Sequence, residues 1–243
     1  MKNQGLKILL LVAAMIGSIQ LGSCSKDTPE NDRIADDKSA ALITNTRSAG
    51  DDIWIDSCIN TFPMETLSAA EIEALNTVRE EELLAKDVYV FLYSRYEIPI
   101  FNNISKSETQ HALAVGTLLQ KYNLPDPAEN HVAGVFVNPE LQALYTSLIA
   151  KGSTSLISAF TVGATIEDLD INDLHTHITT DIDNQDILFV FGNLERGSRN
   201  HMRAFNRQLK AKSVTYTPQF ISQEYFDQII SASNETGKGA CKN

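Results

Sequence analysis

Residues 79–89 read REEELLAKDVY and residues 107–111 read SETQH, and both stretches place acids where a helix seam should be apolar. Stepping alternately three and four residues from Leu75 gives Leu75, Val78, Glu82, Ala85, Tyr89, Leu92 and Tyr96. That is the inward seam of a bundle helix with one carboxylate set into it. The same stepping from Phe101 gives Phe101, Ile104, Glu108, His111, Val115, Leu118 and Tyr122, so the second seam carries an acid and an imidazole one turn apart. An unpaired carboxylate turned into a core costs several kcal/mol or takes up a proton, so a group of them calls for a compensating positive charge. A metal ion supplies it. A Glu-x-x-His pair on one helix face, joined by a lone Glu from a neighbouring helix, is half of a dinuclear carboxylate site in a four-helix bundle.

Helix signals extend outward from this pair. Ser68 with Glu71 three residues on forms a capping box that opens a helix running to about Tyr96, with Pro99 marking the stop. The short turn predicts an antiparallel second helix over about Phe101–Tyr122. The stretch NLPDPAEN then breaks the pattern, and Asn138-Pro139-Glu140 reads as the start of a short helix through Ala150, closed by Lys151-Gly152. Ser153 caps a third long helix with Leu156, Phe160, Gly163 and Glu167 on one face. Asp170-Ile-Asn-Asp173 reads as the capped start of a separate short helix through Ile178. After Asp183-Asn184, a fourth long helix aligns Ile187, Val190, Leu194, Ser198, His201, Phe205 and Gln208 and ends near Lys212; a short helix from Ser222 to about Ile230 follows. The expected fold is all-α, with a long crossover between helices two and three.

At the N-terminus, Lys2 and Lys7 precede the apolar run Ile8–Ile16, and residues 1–23 contain no acid. This has the design of a secretory signal, and the run is too short to span a bilayer. Its end, Leu21-Gly22-Ser23-Cys24, resembles a bacterial lipobox, which implies lipidation of Cys24 and anchorage on the envelope membrane without crossing it. An ordinary signal with a chance cysteine is the alternative. Residues 24–66 form a polar, acidic tether and lead-in, 67–232 the helical domain and 233–243 a polar tail. Removing residues 1–23 deletes two lysines and no acid, which takes the formal net charge from −11 to −13. Such a balance argues against nucleic acid as a partner and suits one that attracts cations. Cys58 and Cys241 can pair, since disulfides persist outside the cytoplasm, or remain two free thiols. No phosphate-binding loop, nucleophile elbow or zinc-type cysteine cluster is present.

Taken together, EELLAKDVY, LPDP, SETQH, GATIED and RGSRNHMRAF resemble an uncharacterised ferritin-like group of bacteria and archaea, over about Leu67 to Phe226. The resemblance implies a ferritin-like four-helix bundle. Glu82, followed by Ala85 and Tyr89, matches its first-helix ligand; Glu108 and His111 match the second-helix pair; Glu167 and His201 match ligands of the third and fourth helices. The fourth-helix acid is missing, because Ser198 stands three residues before His201 where a glutamate is expected. Glu81 or Asp170 can fill the gap. Iron or manganese suits such a mixed donor set, and zinc stays open because affinity alone favours it. If two irons bind, the resemblance implies oxidation of ferrous iron by oxygen or peroxide. Two other readings stand beside it: a non-catalytic envelope binding module, and a structural bundle whose inward acids are neutralised by Arg196, Arg199 or Lys86. Glu80 reads as part of a solvated helix start, and His131, His175 and His177 as surface residues, with His177 a weak substitute ligand.

Overall fold

A computed structural model describes residues 58–236. The lipobox with Cys24, most of the tether, Cys241 and the tail beyond residue 236 lie outside the described residues. Among the described residues the fold is all-α with no sheet; an isolated bridge joins Val132 and Val135. Among the described residues six helices lie whole and follow one another: α1 Ala69–Tyr96, α2 Pro99–Lys121, α3 Pro139–Gly152, α4 Leu156–Thr180, α5 Gln185–Ala211 and α6 Gln223–Ser231. None of them is long and apolar enough to cross a membrane.

The expected capping box is present. Glu71 N donates to Ser68 Oγ at 3.1 Å, and Glu71 Oε2 accepts from Ser68 N at 2.8 Å. The other oxygen of the same carboxylate accepts from Asn184 N at 3.0 Å, so one acid serves the starts of both α1 and α5. Glu97, in the left-handed region at φ 54°, ends α1, and Pro99 opens α2 where a missing N–H costs nothing. The two-residue turn makes α1 and α2 antiparallel.

Two apolar clusters give the remaining directions. One gathers Leu75 and Val78 from the start of α1, Leu118 and Leu119 from the end of α2, Leu174 near the end of α4 and Val190 near the start of α5. The other gathers Tyr89 and Leu92, Phe101, Phe160 and Phe205 from the opposite ends of the same helices. Hence α1 and α5 run one way and α2 and α4 the other. The chain between α2 and α4 must therefore travel the length of the helices, and α3 lies along that path against α1 and α4. The crossover is pinned to α1 at two points. Arg79 grips Asp126, with its Nη2 2.9 Å from Oδ2, while Asp87 accepts from Gly134 N at 2.7 Å and lies 2.8 Å from His131 Nε2. Gly134 sits at φ 77° with the Tyr145 ring where a Cβ would go, so this turn requires glycine.

Three expectations are corrected here. The third long helix begins at Leu156 behind an Ser155 cap, not at Ser153, and it runs unbroken through Asp170 and Asp173 to Thr180. Both aspartates are buried in its interior. A cap signal is a local preference, and burial of Ile166, Leu169, Ile171 and Leu174 on both sides of it overrides that preference. His177 is buried and His131 half-buried, each held by an aspartate; His175 is exposed as expected.

Candidate metal centre

A single polar layer separates the two apolar clusters. Glu82 follows Val78 of one cluster and precedes Ala85 of the other, and Glu108, Glu167 and His201 occupy the same level on α2, α4 and α5. All five sequence-predicted ligands meet there. Glu82, Glu108 and His111 bring one ligand atom each within 4.8 Å of one another, and so do Glu108, Glu167 and His201. Glu108 belongs to both groups. Its Oε2 lies 2.6 Å from His111 Nδ1 and its Oε1 2.8 Å from His201 Nδ1. His111 Nδ1 is also 3.1 Å from Glu82 Oε2, and His201 Nδ1 is 3.4 Å from Glu167 Oε2. The two imidazoles lie 5.7 Å apart, centre to centre, and close to parallel.

His111 Nδ1 and Glu82 Oε2 form a hydrogen bond, but distance and direction disagree at the contacts of Glu108 and His201. Both oxygens of Glu108, Oε2 of Glu167 and Nδ1 of His201 are buried and make no hydrogen bond, although partners sit at hydrogen-bond range. Buried polar atoms are rarely left so. Donor atoms that converge without pointing at one another can share a third, positively charged occupant. Carboxylate oxygens and imidazole nitrogens are the donor set of iron, manganese or zinc, so the residues fit a metal ion.

The electrostatics of the metal-free layer follow from burial and from the carboxylate–imidazole contacts. Burial pushes the Glu82 carboxyl up to about 7, against a smaller lowering by His111. Burial raises Glu167 too, opposed by His201. Glu108 is also penalised by burial, yet the two imidazoles on either side hold it well below the usual carboxylate range. Burial pulls His201 down, but Glu108 and Glu167 outweigh it and lift it to about 10; Glu108 and Glu82 likewise raise His111. The three bases proposed for a structural bundle are committed elsewhere: Arg199 to Glu195 and Glu235, Lys86 to Asp87, and Arg196 to Asn193. In the metal-free layer the cations facing the acids are therefore the imidazoles of His111 and His201.

Neighbouring side chains hold the layer in place. The fully buried Tyr89 hydroxyl donates to Glu167 Oε1 at 2.5 Å, which fixes the carboxylate rotamer and leaves Oε2 to the site. Ser198 is buried, but its hydroxyl turns back to Leu194 O at 3.2 Å. Glu195 faces away, ion-paired to Arg199 at 2.9 Å and accepting from the Tyr225 hydroxyl at 3.1 Å. His177 pairs with Asp181 at 2.8 Å and stands outside the layer. Glu81 and Asp170 are both buried and beside the layer, but neither joins the two triads. Cys58 is buried and disulfide-bonded. Sequence reasoning missed Gly197, which leaves room for the His111 ring; a glycine carries no signal in a hydrophobic repeat.

Fold and site define the class as an all-α helical protein with buried carboxylate–histidine clusters that can hold a metal ion. The chain belongs to the family described as Uncharacterized protein domain (DUF2202), whose model matches residues 71–233. It is 51% identical over 179 residues to the uncharacterized protein MJ0754 of Methanocaldococcus jannaschii, an alignment covering 74% of this chain and 96% of that one. The crystal structure of hypothetical protein MJ0754 from Methanococcus jannaschii matches with a TM-score of 0.70 at 52% identity, over 71% of this chain and 98% of that chain.

Proposed function

We propose that this chain is a ferritin-like metal-binding protein of the cell envelope, holding iron or manganese through Glu82, Glu108, His111, Glu167 and His201. The observation that carries the reading is Glu108, whose two unbonded oxygens each face a different imidazole. That is the placement of a carboxylate shared between two cations. The direction of the four long helices and the long crossover support the ferritin-like assignment. Cys24 provides the lipid anchor in this account, with the acidic stretch behind it as tether.

An iron pair in such a site supplies one-electron steps to oxygen or peroxide, ferrous iron being the substrate that is oxidised. The chain's own residues give the site its order. Glu82 and His111 hold one position and Glu167 and His201 the other, while Tyr89 keeps Glu167 in its rotamer and apolar clusters on both sides exclude water. Ser198 favours binding over turnover: its hydroxyl is directed to its own helix, so the second position lacks the acid that would complete it. Metal analysis of the purified protein is expected to find iron or manganese, and His111→Ala to lose most of it. Retention of the full metal content by His111→Ala overturns the assignment, and zinc as the sole metal removes the oxidative chemistry.

A further inference from the structure

Cys58 is fully buried and disulfide-bonded, and the other two cysteines of the chain, Cys24 and Cys241, both lie outside the described residues. The segment that carries Cys58 is fixed against the start of α5. Lys121 Nζ donates to Ile59 O at 2.9 Å and to Phe62 O at 3.1 Å, and it pairs with Asp186 of α5 at 2.6 Å. The Phe62 ring lies 5.3 Å from the ring of Phe189, centre to centre.

The C-terminal end of the domain heads back toward the same place. Arg203 Nε donates to Ile229 O at 2.7 Å, and Glu235, further along the chain, is held one turn earlier on α5. The Glu235 carboxylate accepts from Arg199 Nε at 2.8 Å, Arg199 Nη2 at 2.6 Å and Arg203 Nη2 at 2.8 Å. One amide grips its backbone: Glu235 N donates to Asn200 Oδ1 at 2.9 Å, and Asn200 Nδ2 donates to Glu235 O at 3.0 Å. Two guanidiniums and a two-way amide contact make this a built clamp. Between Ile229 and Glu235 the chain has thus moved toward the start of α5. Stepping back from Arg203 by four and three residues gives Arg199, Arg196, Gly192 and Phe189, one stripe of that helix. Gly192 leaves the stripe open, with no described atom within 4 Å of where its Cβ would stand.

The remaining chain has the length for this route. From Arg199 to Phe189 the helix rises ~15 Å. The six residues that lead from Glu235 to Cys241 span ~20 Å when extended, and a disulfide bridges a further ~5.5 Å between Cα atoms. Thr236, Gly237, Gly239 and Ala240 are small enough to lie flat on a helix.

We propose that residues 236–241 lie along the α5 stripe from Arg196 to Phe189 and end in a disulfide between Cys241 and Cys58, a strap that closes the C-terminus onto the lead-in. The strap stands apart from the metal-centre reading, because Gly197 and His201 lie on another face of α5. Cys24 has no fixed route to Cys58, and its sulfur carries the proposed lipid. The bond forms by exchange with a disulfide donor: the two thiols release two protons and two electrons, and the donor's disulfide takes both to become two thiols.

Tryptic mapping of the exported full-length protein, with free thiols blocked and no reductant added, is expected to find the Cys58 peptide joined to the Cys241 peptide of the same chain. Two variants test the route. In Glu235→Ala the free tether to Cys241 begins at Ile229 and doubles in length, which lowers the effective concentration of the two thiols about threefold. Its equilibrium with glutathione should shift toward the reduced pair by about the same factor. Gly192→Trp places a large ring on the path and should shift that equilibrium in the same direction. Cys58 joined to Cys24, joined to a second chain or found as a free thiol overturns the strap. A glutathione equilibrium equal to that of wild type in either variant overturns the route along α5.

Discussion

A Cβ built on Gly197 of α5 would lie 2.7 Å from both Cε1 and Nε2 of His111 on α2. The imidazole is therefore backed by the bare backbone of a neighbouring helix, which presses its Nδ1 face toward Glu108 and Glu82. Gly197→Ala is expected to raise intrinsic helix propensity yet destabilise the protein by about 1–3 kcal/mol, because the ring must leave its place. Metal affinity should fall with it. Denaturant melts and metal titration of the variant check both, and an unaltered affinity would show that the ring position does not matter to the site.

Tyr89→Phe removes the donor to Glu167 Oε1 while keeping the ring that packs on Phe205. A buried carboxylate oxygen is left without its partner, at a cost of about 1–3 kcal/mol in the metal-free protein. Loss of this outer support should weaken the metal position at Glu167 by about 10–100-fold, with the position at Glu82 nearly unchanged. Equal weakening of both positions would contradict the assignment of Tyr89 to Glu167.

The metal-free protein should lose stability as pH rises. Folded Glu82, pushed up to about 7 chiefly by burial, keeps a proton that an unfolded glutamate gives up near 4.5. Folded His201, lowered by burial but lifted to about 10 by Glu108 and Glu167, keeps one that an unfolded histidine loses near 6.5. The folded state thus binds more protons across this window, and the linkage relation makes stability fall with increasing pH. The contribution of His201 is complete below about pH 6.5 and gone above about pH 10. Metal competes for the same atoms, so its uptake releases protons and its apparent affinity rises with pH. Denaturant melts with and without manganese, from about pH 5 to about pH 9, should diverge steadily; parallel curves would remove the competition.

The anchor has its own test. Cys24→Ala should release the exported protein from membranes, since the polar, acidic sequence behind it offers no long apolar run to replace the lipid. Recovery of the variant in the membrane fraction, processed as before, contradicts a lipidated Cys24.

The five candidate ligands were legible as inward-facing residues because each stands in an apolar line of known period, while the role given to His201 came from the family resemblance. Glu82 stands between Val78 and Ala85, and His201 between Leu194 and Phe205, so the helical repeat alone turns them inward. The ends of α1 were legible for a similar reason, since Ser68 with Glu71 and Pro99 act through local chemistry. Asp170 was misread because an aspartate ahead of an apolar run has the same appearance whether it caps a helix or sits within one. Packing of Ile166, Leu169 and Leu174 decides between the two, and packing is not local. His177 escaped notice as a buried group for want of any visible link to Asp181 and Phe191. Gly197 gave no signal at all, because its function is a space used by a side chain from another helix.

Anaerobic titration of ferrous iron into metal-free wild type and Glu108→Ala tests the central claim most directly, since Glu108 alone belongs to both triads. Wild type should bind one ion tightly and a second weakly, because Ser198 leaves the second position short of an acid. Glu108→Ala should lose both together, and Ser198→Glu should strengthen the second alone. A Glu108→Ala protein that keeps wild-type iron binding contradicts a centre built around a shared carboxylate.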